Sequence, residues 1–190
     1  MIVHFYVPDV LDSVMSENSH RIKDRDSKGM TPLSHAASIG YLEGVRYLLD
    51  KWADHIYESD RNGFFPIHTA SSRGHIKIVQ EFIQRYPDSV ELLNHQGRNI
   101  LHVAAMSGKA EVVNYMLKMP ELQMLINEKD KDGNTSLHLA SKGGHLEVVS
   151  ILTWDKRVDL KLLNDEGKTA LDIAGEYSGK VPSFREVCDP

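Results

Sequence analysis

The stretch Gly133-Asn134-Thr135-Ser136-Leu137-His138-Leu139-Ala140, followed shortly by Gly144-His145-Leu146-Glu147-Val148-Val149, decides the fold because it is not unique in the chain. The first half recurs as Gly29-Met30-Thr31-Pro32-Leu33-Ser34-His35-Ala36, as Gly63-Phe64-Phe65-Pro66-Ile67-His68-Thr69-Ala70 and as Gly97-Arg98-Asn99-Ile100-Leu101-His102-Val103-Ala104. A fifth copy reads Gly167-Lys168-Thr169-Ala170-Leu171-Asp172-Ile173-Ala174. The opening glycines lie 34, 34, 36 and 34 residues apart. The second half keeps step at Gly40, Gly74, Gly108 and Gly144, and is absent from the fifth copy. A fixed period of this length marks a repeat architecture rather than independent domains.

The chemistry of one copy predicts a helix pair and a turn. Thr31 and Pro32 open a short helix, the threonine capping free N–H groups and the proline losing nothing at the first helical position. Gly40, Gly74, Gly108 and Gly144 end it, since glycine takes a positive φ without strain. A second helix carries apolar residues at i, i+3 and i+4, as in Val45, Leu48 and Leu49 or Val113, Met116 and Leu117. Small Ala36, Ala70, Ala104 and Ala140 let the first helices approach closely. Asp26, Asp60, Asn94, Asp130 and Asn164 open a projecting β-turn or short hairpin before each copy. A single pair cannot bury its stripe alone, so the units stack in a line.

Thr-Pro-Leu-His-x-Ala followed by Gly-His-Leu-Glu-Val-Val at this period resembles the ankyrin repeat, directly over about residues 26–174. The resemblance implies an all-α solenoid of stacked antiparallel helix pairs that binds a protein partner on its concave face. The expected organisation is one domain over 1–190. It holds a partial repeat at 8–25, full repeats at 26–59, 60–93, 94–129 and 130–163, and a partial repeat at 164–190. Residues 8–15 carry the spacing of a second helix with no first helix, and 182–187 can begin a last second helix. Stacking of such unfinished ends makes self-association an expected property. The segments around Tyr86-Pro87-Asp88, Met119-Pro120-Glu121 and Lys129-Asp130-Lys131 depart from the family's usual repeat ending. With residues 29–40 and 97–105 they resemble plant ankyrin proteins of the accelerated-cell-death type, here without the membrane-spanning C-terminal region. That likeness implies defence or stress signalling, either as a scaffold or as the cytosolic part or shortened relative of a membrane-anchored protein.

Composition removes several other classes. A net charge of −5 and a pI near 6.0 leave no footprint for nucleic acid or an anionic membrane. Cys188 is the single cysteine, so neither an internal disulfide nor a cysteine zinc site is expected. The apolar residues 1–7 are too few to span a bilayer and lack a basic leader, which points to the cytoplasm, or to the cytoplasmic face of a membrane through a partner. Asn134-Thr135-Ser136 spells a glycosylation acceptor that has no meaning in that compartment. Glu166-Gly167-Lys168-Thr169 ends like a phosphate loop, but Leu162 stands where that loop needs glycine. His68 with His75, and His138 with His145, suggest metal; yet the spacing is seven, not four, and no third ligand accompanies either pair. His68, His102 and His138, which share one repeat position on the first helix, are expected to fasten neighbouring units by hydrogen bonds. No catalytic residue, cofactor, metal or small-molecule substrate is expected.

Partner contacts are expected where copies differ, because shared positions are occupied by packing. The turn tips contribute Lys28, Met30, Arg61, Asn62, Phe64, His95, Gln96 and Arg98 in the first three copies, then Lys131, Asp132, Asn134, Glu166 and Lys168. The ends of the first helices contribute Ser38, Ile39, Ser72, Arg73, Met106, Ser107 and Lys142. Met30, Phe64 and the basic tips have the character of interface anchors.

Overall fold

A computed structural model describes residues 25–178. The expectations for residues 8–15, 182–187 and Cys188 lie outside the described residues. Four helix pairs follow in order: α1 (Pro32–Ile39) with α2 (Leu42–Lys51), α3 (Pro66–Arg73) with α4 (Ile76–Arg85), α5 (Ile100–Met106) with α6 (Ala110–Leu117), and α7 (Ser136–Lys142) with α8 (Leu146–Trp154). Helix α9 (Ala170–Ser178) completes the described part. There is no strand among the described residues, so the projecting segments are turns and not hairpins.

Each second helix hands over to the next turn through a short linker, and Ala53–Tyr57, Pro87–Glu91 and Pro120–Leu125 are 3₁₀ turns. Prolines open the second and third, and each linker is anchored by buried apolar residues: Ile56 in the first, Val90 in the second, and Leu122 and Leu125 in the third are at most 8% exposed. First helices stack on first helices from α1 to α9, and second helices form a looser row behind them. The core lies between the rows, with Leu33, Val45, Leu48 and Leu49 repeated as Ile67, Val79, Phe82 and Ile83 and as Leu101, Val113, Met116 and Leu117. At the far end the same positions come undone. The motif leucine is 0–5% exposed at Leu33, Ile67, Leu101 and Leu137 but 57% exposed at Leu171, and the linker residue Leu160 is 48% exposed. No described helix packs there.

The turns repeat one hydrogen-bond pattern. In every copy Oδ1 of the first turn residue accepts from the N–H groups two and four residues on, at 2.8–3.1 Å, which is why only Asp or Asn stands there. Adjacent turns are also joined: the N–H of Arg61 donates to the Lys28 carbonyl at 3.1 Å, and that of Lys131 to the Gln96 carbonyl at 2.9 Å. This close approach constrains Gly63, whose φ is 80° and whose added Cβ would lie 2.5 Å from the His95 backbone nitrogen. Gly63→Ala is therefore expected to lower stability by about 2 kcal/mol, the sum of a left-handed penalty and a backbone displacement. A urea titration followed by circular dichroism measures it, and an unchanged midpoint would contradict the turn packing.

The helix-ending glycines hold in part. Gly40 and Gly74 cap α1 and α3 with φ of 78° and 83°. Helices α5 and α7 stop at Met106 and Lys142, so Gly108 and Gly144 fall two residues later, still at positive φ.

Candidate partner-binding surface

The buried histidines are the fasteners of the stack. In α3 the Phe65 N–H donates to Nδ1 of His68 at 3.4 Å, and Nε2–H of His68 donates to the Arg98 carbonyl at 3.0 Å. In α5, Nδ1 of His102 accepts from Asn99 N–H at 3.3 Å, while its Nε2–H serves the carbonyls of Glu128 at 3.0 Å and Asn134 at 3.1 Å. His138 repeats this with Thr135 and, at 3.1 Å, the Lys168 carbonyl. An N–H arriving at Nδ1 and a carbonyl at Nε2 require the neutral ring protonated at Nε2. Burial lowers the pKa of all three, that of His68 to about 4, against the pull of the carbonyls.

His75 and His145 belong to a second set of ties. Nε2–H of His75 donates to the Ser38 carbonyl at 3.1 Å, and Nε2–H of His145 to the Met106 carbonyl at 2.8 Å. Each reaches back one repeat and lies over the glycine that follows the earlier first helix; a Cβ on Gly40 would be 2.9 Å from Nδ1 of His75. The histidine pairs that suggested metal are thus engaged with backbone, and among the described residues no cluster of three or more potential ligands forms.

Consecutive tips also touch through the fifth turn residue, which meets the first turn residue of the next copy. Arg98 Nε bonds Asp130 Oδ2 at 2.8 Å, and Nδ2 of Asn164 donates to Oδ1 of Asn134 at 3.0 Å. Asp130 is buried, which acts to raise its carboxyl pKa, but Arg98 and the N–H groups of Asn134 and Asp132 outweigh this and hold it below the usual range. In the first two copies the corresponding residues are Met30 and Phe64, which offer no polar group to the next turn. The buried Nδ2 of Asn94, the turn residue that follows Phe64, has no hydrogen-bond acceptor.

This ladder sorts the expected contact residues. Lys28, Ile39, Arg61, Asn62, Arg73, His95, Gln96, Lys131, Asp132, Lys142 and Glu166 are exposed. Met30, Phe64 and Met106 are half-buried, and Phe64 packs edge-on against the His68 ring with centroids 6.0 Å apart. Lys168 is clamped by Glu166 at 2.8 Å and Glu176 at 2.9 Å. Two expectations are corrected. Asn134 is 5% exposed and bonded to Asn164, so its side chain is not presented to a partner. Arg98 is engaged by Asp130, and its Nη1 lies 3.1 Å from the Met106 sulfur. That last contact carries the tip side chain back over α5, so tips and first helices form one continuous face.

The sequence reading overlooked His35, Asp165, Asp172 and Glu176, which are exposed on the same turns and first helices. His35 could have been found by alignment, since it occupies the position of buried Thr69, Val103, Leu139 and Ile173 and is the one strongly polar residue there.

A line of helix pairs joined by projecting turns, held by repeated hydrogen bonds and presenting one variable face, defines a repeat scaffold of the interaction class. Family profiles make this specific: one described as a single ankyrin repeat matches residues 28–60, one of three ankyrin copies matches 54–125, and one of many copies matches 121–174. The chain belongs to the ankyrin-repeat family, a typically non-enzymatic module whose repeats imply a role in protein–protein interaction. It is 46% identical over 65 residues to an ankyrin repeat and LEM domain-containing protein 2 homolog of Caenorhabditis elegans, a match covering 33% of this chain and 11% of that protein. It is 47% identical over 51 residues to alpha-latroinsectotoxin-Lt1a of Latrodectus tredecimguttatus, covering 27% and 4%. The aligned stretch is thus a small part of either relative. Among the described residues no helix is long and apolar enough to cross a membrane.

Proposed function

We propose that this chain is a scaffold or regulator that holds a segment of a protein partner along the face built by its turn tips and first helices. The observation that carries this reading is the division of labour on the repeat. The shared turn Asp or Asn and the motif histidines are engaged in internal ties, whereas Ile39, Asn62 and Gln96, where copies differ, are exposed with no side-chain tie of their own. Such a surface varies freely on a constant frame, which is how repeat scaffolds acquire a specific partner. The narrower proposal places it in the cytoplasm, or at the cytoplasmic face of a membrane through a relative or partner, in defence or stress signalling; it rests on the resemblance of the linkers at Tyr86-Pro87-Asp88 and Met119-Pro120-Glu121.

The test is a surface variant, Ile39→Asp with Asn62→Arg and Gln96→Arg, compared with wild type for retention of proteins from native lysate and then for affinity to the one retained. Loss of about tenfold in affinity with an unchanged circular dichroism spectrum is expected. Equal affinity would remove the tips from the binding surface.

A further inference from the structure

The face is divided by charge in a way that specifies a partner. Arg25, Arg46, Arg85, Arg98 and Arg157 are each paired with a carboxylate. Among the described residues Arg61 and Arg73 are the two arginines without one, and both stand exposed in the second repeat, one on the tip and one at the end of the first helix. Lys131 on the fourth tip is exposed and equally unpaired. The carboxylates nearest in sequence make no ion pair with them: Asp26 and Asp60 turn Oδ1 to two backbone N–H groups each, and Asp130 is held by Arg98. The exception is Asp132, exposed and 3.9 Å from Arg98. In the fifth repeat the sign reverses, with Asp165, Glu166, Asp172 and Glu176 exposed and Lys168 already clamped between two of the glutamates.

An unpaired guanidinium is a standing preference for a carboxylate, which it grips with two parallel N–H bonds. Arg61 shares its tip with half-buried Phe64, and its backbone N–H bonds the preceding tip, which carries half-buried Met30, so anion recognition is combined with apolar anchoring. We infer that the tip and first-helix face of repeats one to three docks an acidic protein segment bearing one or two apolar side chains, with Arg61 and Arg73 as its charge contacts. Acidic repeat five repels the same segment and so fixes where along the stack it lies. The inference rests on the reading that this face holds a protein partner.

The test uses the full chain and an array of short fluorescent peptides in three sets, all carrying Leu and Phe but otherwise rich in Asp and Glu, in Lys and Arg, or in Ser and Asn. Acidic peptides are expected to bind best and to lose about tenfold in affinity between about 50 and about 300 mM salt. Arg61→Glu with Arg73→Glu should abolish that binding, and Lys77→Glu on the exposed side of α4 should leave it unchanged. Selection of the neutral or basic set, lost in the Arg61→Glu, Arg73→Glu variant, would overturn the acidic specificity and keep the face as a binding surface. Binding that survives the double variant, or falls equally in Lys77→Glu, would overturn the assignment to Arg61 and Arg73. No binding by any set would overturn this inference and the functional reading together.

Discussion

Arg98→Ala is expected to lower the unfolding free energy by about 3 kcal/mol, a larger loss than for any exposed tip residue. The partner it abandons, the Asp130 carboxylate, has a side chain with no exposure, while Arg98 itself is only 17% exposed. Breaking one side of such a pair leaves a charge out of water with too few partners, which costs about 3–5 kcal/mol in fully buried cases. Two turn N–H bonds to Oδ1 remain after the truncation, and water can enter where the guanidinium stood, so the lower end applies. The third and fifth repeats indicate the remedy: Asn94 and Asn164 make the same turn bonds with no charge to compensate. Arg98→Ala combined with Asp130→Asn should therefore recover most of the loss, within about 1 kcal/mol of wild type. Urea denaturation of the wild type, both single variants and the double measures the coupling. Additive losses would mean that the pair is not the source of the effect.

Acid should unfold this protein well before its carboxylates titrate. His68 ionises at about 4 in the folded chain, against 6.5 for a solvated imidazole, because burial penalises the charged ring. The unfolded chain therefore binds protons more readily than the folded one between these values. Stability is fully present above pH 6.5, falls as pH drops towards 4, and loses about 3 kcal/mol from His68 over that window. His102 and His138 are shifted in the same direction for the same first cause and add to the loss. The first and last described copies have Ser34 and Asp172 at this position, so the sensitivity is confined to repeats two to four. Stability measured at intervals from pH 7 to 4, with His68→Gln for comparison, checks this: the variant should be less stable at neutrality and show a shallower slope. A His68 imidazole titrating near 6.5 by NMR in the native state would refute it.

The repeat explains how the fold could be read so far in advance. The small alanine recurs in five copies, a capping Thr or Asn in four, the apolar stripe of the second helix in four and the proline in two, all in register, and each is a local instruction obeyed wherever it occurs. The hydrogen-bonding role of the motif histidines was legible for the same reason, since a polar residue returning at one buried position needs the same partner every time. Arg98 and Asn134 were misread because what engages the one's charge and buries the other's side chain is a contact with the next copy, 32 and 30 residues away. The ties from His75 and His145 escaped on the same ground, their acceptors being carbonyls of the preceding repeat.

The sequence by itself determined that this is a line of helix pairs, where each pair starts and turns, and which positions are framework, because those properties depend on residues within one period. Only the tertiary structure decided which variable residues remain available. Neighbouring turns lie within hydrogen-bond reach of each other, and whether a tip side chain finds a charge, an amide or nothing on the next tip depends on two copies at once. Asp130 captures Arg98 and Asn164 captures Asn134, while Arg61 and Arg73 meet no carboxylate and stay exposed.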